Sequence, residues 1–167
     1  KGRYNVAIGM STLLAEDVGD RSVALGYMAL NAQNTVSDNS INGNIAMGFQ
    51  AGSVVTTASG SVFLGYTAGN TVTTGNQNIA IGNDAMAGGT TTGDNNIAIG
   101  ASAGDAITSG HSNIMMGKDA GGATTTGDYN IAIGGEALGA AVTGNYNIVI
   151  GQSGGAAITQ GQRNTSI

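Results

Sequence analysis

The chain has 167 residues, of which 30 are glycine, while only 9% are charged and 4% aromatic. A compact globular core needs large side chains, so this composition argues against an ordinary globular domain. The net charge is −5 and Lys and Arg together number five, which leaves no basic stripe for phosphates and argues against nucleic acid as a partner. Cysteine and proline are absent, which excludes disulfides and suits a chain that uses nearly every backbone N–H.

A five-residue phrase recurs along the chain: Asn or Ser, an aliphatic residue, usually Ala, an aliphatic residue, then Gly. Its nine complete copies end at Gly9, Gly26, Gly48, Gly65, Gly82, Gly100, Gly117, Gly134 and Gly151, and a tenth begins at Asn164. The copies are 17 or 18 residues apart, except for 22 between Gly26 and Gly48. A short fixed period is typical of a solenoid, whose units bury their apolar faces by stacking. The sequence therefore predicts an all-β protein, a parallel β-solenoid (β-roll) of about ten 17-residue coils, as a single domain over residues 1–167.

Each copy of the phrase predicts a short strand that ends at a glycine corner. In the copy at residues 96–100, a period of two puts Ile97 and Ile99 on one face and Ala98 on the other. We expect the flanking aliphatic pair to form the core of the coil. A second, more polar strand is expected in each coil, as at residues 71–75 and 106–110, where threonines suit ladders between coils.

The middle residue of each phrase defines the other face of the strand. This column holds no polar residue: Ala7, Ala24, Ala46, Phe63, Ala80, Ala98, Met115, Ala132 and Val149. A strand that is apolar on both faces is typically buried on both. We therefore predict that the middle column is an oligomer interface between copies of the chain around a shared axis.

The asparagine that opens most copies is the best-defined polar column. Amides stacked from coil to coil can hydrogen-bond along the axis of the solenoid. We expect such a structural ladder to include Asn78, Asn96, Asn113, Asn130 and Asn147, with a ligand-binding array as the alternative.

No catalytic or metal-binding constellation is visible in the sequence. The acidic cluster Glu16, Asp17 and Asp20 lies in a turn, and the single histidine, His111, has no acid or nucleophile near it in sequence. Calcium-binding β-rolls use a Gly- and Asp-containing nonapeptide that this chain lacks. We predict a protein that is not an enzyme, with no metal and no other cofactor.

The 22-residue interval carries an insertion loop at residues 30–43. Insertions in solenoids lie on a surface, where they often bind ligands. Asn34, Ser37, Asp38 and Asn39 offer hydrogen-bonding groups and are candidate contacts for a receptor or glycan, with an idle loop as the alternative.

The phrase Asn-Ile-Ala-Ile-Gly, at residues 78–82, 96–100 and 130–134, resembles the repeats of bacteriophage tail fibres. It is also similar to the head repeats of trimeric autotransporter adhesins. The resemblance spans residues 5–167 and implies a homotrimer of parallel β-rolls, with the aliphatic pair inside each coil and the middle Ala facing the trimer. The 17-residue period is longer than that of autotransporter heads, and a neck, stalk and anchor are lacking, which favours a fibre shaft.

We therefore expect a structural segment of a phage tail fibre or similar extracellular appendage, a rigid trimeric shaft that supports attachment to a host surface. Its partners would be further copies of itself, with a host glycan or protein as a further partner. No apolar run reaches the roughly 20 residues needed for membrane insertion. Because the chain begins without Met and ends inside a repeat, we expect it to be a piece of a longer protein.

Three alternatives remain at the level of sequence. A cell-surface adhesin would bind host glycan or matrix through the lateral face of the solenoid. An ice-binding solenoid would need ranks of paired threonines, which occur in only two of six coils. A solenoid with open ends could also stack end to end into a filament.

Overall fold

The computed structural model describes residues 2–16, 19–34 and 41–167, and these contain short strands and turns but no helix. The strands are β1 (Val6–Ile8), β2 (Val23–Leu25), β3 (Ile45–Met47), β4 (Val62–Leu64), β5 (Ile79–Ile81), β6 (Ile97–Ile99), β7 (Ile114–Met116), β8 (Ile131–Ile133), β9 (Ile148–Ile150) and β10 (Thr165–Ser166). They form one ten-stranded sheet in sequence order, and every pair is parallel. The predicted all-β parallel β-solenoid is confirmed. Each coil is numbered here by its strand.

Left-handed backbone at the corners lets each coil close within 17 residues. The glycine that ends each phrase has φ between 128° and 138°. A Cβ at Gly82 would also lie 2.5 Å from the carbonyl oxygen of Gly100 in the next coil. Both the conformation and the close approach of neighbouring backbones require glycine at this corner, which explains why the phrase always ends there.

The faces of the strand are the reverse of those predicted. The middle residues of β2 to β9 are 0% exposed and lie inside the coil: Ala24, Ala46, Phe63, Ala80, Ala98, Met115, Ala132 and Val149. Ala7, in coil 1, is exposed. The flanking aliphatic residues, by contrast, lie on the outer side of the sheet and are partly exposed. The middle column is therefore the core of the coil and does not provide the predicted interface.

The asparagine column explains this reversal. Each asparagine lies two residues before the middle residue, so a period of two puts both on the same side of the strand. Asn113 is fully buried. Its Nδ2 donates to the carbonyl oxygen of Gly127 at 2.8 Å, and its Oδ1 accepts the backbone N–H of Asn130 at 2.9 Å. Because these amides find their partners inside the solenoid, the middle residue must point inward as well.

Large and small residues compensate for one another inside the narrow coil. The position six residues after the middle residue is glycine wherever the middle residue is large, and it is large in several coils whose middle residue is Ala; coils 3 and 6 have Ala at the first position and glycine at the second. The first kind comprises Phe63 with Gly69, Met115 with Gly121 and Val149 with Gly155, and the second Ala24 with Leu30, Ala80 with Met86 and Ala132 with Leu138. A Cβ at Gly155 would lie 2.7 Å from Cγ2 of Val149, so the two positions share one space.

The expected second strand does not form in the described residues, which show only two isolated bridges outside the sheet. The reason lies in local turn hydrogen bonds. In coil 6 the N–H of Ile107 donates to Gly104 at 3.1 Å within its own coil, so the ladder to the next coil is interrupted. The threonine hydroxyls bond to backbone instead, as Thr108 Oγ1 does to the carbonyl oxygen of Thr125 at 3.1 Å.

The asparagine ladder can be tested at Asn113. Replacing Asn113 by Ala leaves the carbonyl of Gly127 and the N–H of Asn130 without their partners, and each such buried group costs about 1–3 kcal/mol. We expect urea unfolding to show a loss of roughly 2–5 kcal/mol. Gln160→Ala, at an exposed polar position, should change the free energy of unfolding by less than about 0.5 kcal/mol. Equal effects of the two substitutions would contradict the ladder.

Candidate functional site

A continuous apolar surface covers the outer side of the sheet. The first and third residues of β1 to β9 are Val, Ile, Leu or Met throughout, and we call this surface the outer aliphatic face. Among its residues Leu25 is 37% exposed, Ile150 40% and Ile8 59%. Nine strands at about 4.8 Å, each with three residues at about 3.3 Å, give a surface of roughly 43 by 10 Å. Soluble monomers rarely expose apolar patches larger than a few hundred Å², so this face is suited to packing against a partner.

Two columns of residues border the outer aliphatic face. The leading edge consists of the residues two positions before each strand: Tyr4, Arg21, Gly43, Gly60, Gln77, Asn95, Ser112, Tyr129 and Tyr146. The trailing edge consists of the residues two positions after each strand: Met10, Tyr27, Phe49, Tyr66, Asn83, Ala101, Lys118, Gly135 and Gln152. These edges contain every aromatic residue of the chain except Phe63, which is buried in the core.

The aromatic residues of the edges form stacks along the rod. On the trailing edge the ring of Phe49 stacks between Tyr27 and Tyr66, with centroids 5.2 and 5.0 Å away. On the leading edge Tyr129 and Tyr146 stack at 5.0 Å. Since stacked rings cover one another's faces, they present mainly their edges outward. This arrangement favours lateral packing against a neighbouring surface over stacking on a planar ligand.

A groove of about 590 Å³ runs along another side of coils 6 to 9. Its lining includes Ser102 and Asp105 from coil 6, Asp119 from coil 7, Glu136 from coil 8 and Ser153 from coil 9. Lys118 Nζ lies 2.9 Å from Asp119 Oδ2 at its rim. The described residues contain no group of His, Cys, Asp or Glu arranged to hold a metal ion.

Asp105 is the acidic residue of this groove whose pKa is shifted. Burial raises the pKa of its carboxyl above the ordinary value of 3.8, and the charges of Asp84 and Asp119 add to the rise, while hydrogen bonding from the N–H of Ala87 opposes it. The Ala87 N–H donates to Asp105 Oδ1 at 3.2 Å. The groove therefore carries a carboxyl group that is stabilised in its protonated form.

The other acidic and histidine positions act in turns. Asp94, His111 and Asp128 occupy the same turn in successive coils. In this turn a side chain accepts a backbone N–H of the preceding coil: His111 Nδ1 accepts from Asp94 at 2.9 Å, and Asp128 Oδ1 accepts from His111 at 2.8 Å. In the acidic turn, the N–H of Arg3 donates to Asp20 Oδ1 at 2.5 Å and Gln33 Nε2 donates to Glu16 Oε2 at 2.7 Å. Asp17 lies outside the described residues. These contacts hold the corners of successive coils together.

Only part of the insertion loop can be placed. Asn34 is exposed, and its N–H donates to the carbonyl oxygen of Thr56 at 3.0 Å. The preceding Gln33 is fully buried, where its Nε2 also donates to Ser22 Oγ at 3.1 Å. Ser37, Asp38 and Asn39 lie outside the described residues, so the predicted receptor or glycan contact stays a prediction.

Sequence reasoning missed both surfaces. The sequence pattern predicts the residues of the outer aliphatic face to be the core of the coil, whereas the size compensation between residues six apart indicates which side is enclosed. The groove was missed because its carboxylates occupy different positions of the repeat and meet only when the coils stack.

Comparisons with family models, curated proteins and solved structures find no match to this chain. The resemblance to tail fibres and autotransporter heads therefore stays a prediction. None of the residues that the structure describes belongs to a helix that could cross a membrane.

The groove predicts a pH dependence of stability. Because the folded state favours protonated Asp105, its stabilising contribution is complete below pH 3.8 and is lost as the pH rises through the raised pKa. Asp105→Asn keeps an acceptor for the Ala87 N–H and should raise Tm at pH 7 by about 1–2 °C, as roughly 0.5 kcal/mol would in a chain of this size. The difference from wild type should shrink when thermal unfolding is followed below pH 3.8.

Glu136→Gln is the matched control, because it removes the same charge from an exposed side chain of the same groove. A gain in Tm as large as that of Asp105→Asn would show that the net charge of the groove, and not the burial of Asp105, limits stability.

Proposed function

We propose that the chain is a structural segment of an extracellular fibre, a rigid homotrimeric shaft that holds an attachment site away from a virion or cell. The outer aliphatic face carries this proposal. It runs over nine consecutive strands without a polar residue, and its side chains are partly exposed to solvent in the single chain. Soluble monomers rarely leave so large an apolar face exposed, and covering it with another apolar surface is favourable.

The regular spacing of the face favours another copy of the chain as its cover. Its side chains recur at the strand spacing of about 4.8 Å over a length of roughly 43 Å. A partner that follows this spacing at every strand has the same repeat, and a second copy is the simplest such partner. With both edges included, the face measures roughly 43 by 20 Å, which compares with about 800 Å² per partner in a standard stable interface.

Cyclic symmetry would bury the face of every copy around one axis. Copies arranged around an axis parallel to the rod can all turn their outer aliphatic faces inward, and no sheet face is then left exposed. The number three rests on the resemblance of the repeats to trimeric fibres. The predicted middle column plays no part in this arrangement, because it lies inside each coil.

Stiffness along the rod suits the role of a shaft. Successive coils are tied together by the parallel strand ladder, by the corner side chains and by the buried asparagine column, in which Ser22 and Ser61 replace asparagine. These three sets of hydrogen bonds run along the same axis, so bending the rod would stretch all of them on one side. The resemblance to phage tail fibres supports an extracellular setting for such a rod.

The mass of the protein in solution tests the proposal. Light scattering of the wild type should give three times 16.3 kDa over a range of concentrations. Ile133→Glu puts a charge on the outer aliphatic face and should reduce association by two or more orders of magnitude, on the order of 3 kcal/mol. Ile133→Thr, which keeps the β-branched shape, should weaken association less.

Thr143→Glu is the matched control, because it adds the same charge at an exposed position of the same coil, outside the face. It should remain trimeric. Circular dichroism shows whether each variant keeps its β structure. A folded wild-type monomer at high concentration would overturn the proposed function, and so would an Ile133→Glu variant with an unchanged mass.

A further inference from the structure

In coils 3, 4 and 8 the two edges of the outer aliphatic face are complementary in size, because an aromatic residue on one edge faces a glycine on the other. No coil carries an aromatic residue on both edges. Where one edge is aromatic, the other edge carries glycine or an unbranched, non-aromatic side chain: Tyr4 with Met10, Tyr27 with Arg21, Phe49 with Gly43, Tyr66 with Gly60, Tyr129 with Gly135 and Tyr146 with Gln152. In three of these six pairs the opposite residue is glycine.

Gly135 has no role inside its own chain that requires glycine. Its φ is not in the left-handed region. A Cβ at this position would meet only the carbonyl oxygen of Lys118, at 3.8 Å, which is an ordinary contact. The single chain therefore has room for a larger residue at the position that faces Tyr129 across the strand.

Gly43 and Gly60 do have positive φ, at 58° and 66°. The same corner nevertheless carries side chains in other coils, including Gln77 and Asn95 at φ 57° and 61°. The nearest atoms to a Cβ would be Cγ2 of Ile41 at 3.8 Å for Gly43, and Cγ of Gln77 at 3.4 Å for Gly60. The positive φ favours glycine at these two positions without requiring it, and packing within the chain leaves room for a side chain there.

Contacts within one coil cannot produce this complementarity. The two edge residues of a coil lie beyond opposite ends of a three-residue strand, and that strand alone spans roughly 10 Å. An aromatic side chain is shorter than this, so the ring and the glycine of one coil do not touch. The correlation in size then points to a contact between different copies of the chain.

We infer that the copies pack parallel and in register, with the aromatic residues of one edge seated over the glycines of the neighbour's opposite edge. This inference rests on the proposed function. A rotation axis parallel to the rod brings the trailing edge of one copy against the leading edge of the next at the same coil. Phe49 and Tyr66 then lie over Gly43 and Gly60 of one neighbour, and Tyr129 lies over Gly135 of the other. In coil 2, Arg21 meets Tyr27, a pairing that allows a cation–π contact.

The first test fills one of the glycine positions. Gly135→Tyr should fold, because its backbone and surroundings accept a side chain, but its association should be at least tenfold weaker since Tyr129 of the neighbour occupies the space. Tyr129→Gly alone should also weaken association by removing the ring. The exchange variant, Tyr129→Gly with Gly135→Tyr, restores one ring and one gap at this coil and should associate more tightly than either single variant.

The second test uses cysteine cross-links, which the native chain cannot form. Ser112 and Lys118 are the leading-edge and trailing-edge residues of coil 7. They are too far apart across the strand for a disulfide within one chain, which needs Cα atoms closer than about 7 Å. The Ser112→Cys/Lys118→Cys variant, treated with an oxidant or a short bis-maleimide, should give covalent oligomers up to the trimer. Each single variant should remain uncross-linked.

The outcomes separate this inference from the proposed function. A wild-type trimer whose mass and affinity are unchanged by Gly135→Tyr would overturn the edge contact and leave the shaft intact. Covalent dimers from Ser112→Cys alone would show that like edges meet in an antiparallel arrangement, and would also overturn it. A wild-type monomer would overturn the proposed function itself.

Discussion

The buried asparagine ladder is the constraint on which the rest of this structure depends. Its amides donate and accept along the axis inside the solenoid: Asn130 Nδ2 donates to the carbonyl oxygen of Gly144 at 2.9 Å, and Asn113 Oδ1 accepts the backbone N–H of Asn130 at 2.9 Å. Because alternate residues of a strand share a face, this ladder turns the middle residue inward and the two flanking aliphatic residues outward. The exposed apolar face is thus a consequence of satisfying a buried polar side chain in successive coils, an amide in most of them and the hydroxyls of Ser22 and Ser61 in coils 2 and 4.

The period of the repeat, the parallel pairing and the corner glycines could be predicted from the sequence, since each follows from self-similarity and local backbone chemistry. Which face of each strand points into the coil could not be predicted in this way. Both faces are apolar, and a period of two does not indicate which of them is enclosed. Volume resolves the question. Phe63 with Gly69 and Ala80 with Met86 share one enclosed space, and only an interior imposes such a compensation.

The second predicted strand fails for a different reason. The residues around Ile107 have strand-forming side chains, but the N–H of Ile107 is already taken by Gly104 in the preceding turn. On this side of the coil, local hydrogen bonds therefore stabilise a turn in spite of the β propensity of the side chains. The acidic groove escaped prediction because Asp105, Asp119 and Glu136 come from three coils and occupy two different positions of the repeat. Periodicity reveals columns of equal residues and is insensitive to such mixed neighbours.

The same rule of volume governs the inside and the outside of the coil. Inside, a large middle residue is matched by a glycine six positions later in the same coil, and the two are in contact distance. Outside, in coils 3, 4 and 8, an aromatic residue on one edge is matched by a glycine six positions away on the other edge, although nothing within the chain brings them together. The outer face of the chain thus shows the same matching of large and small residues as the core of the coil. The cyclic assembly supplies a second interior, because it encloses the outer faces of all its copies around one axis.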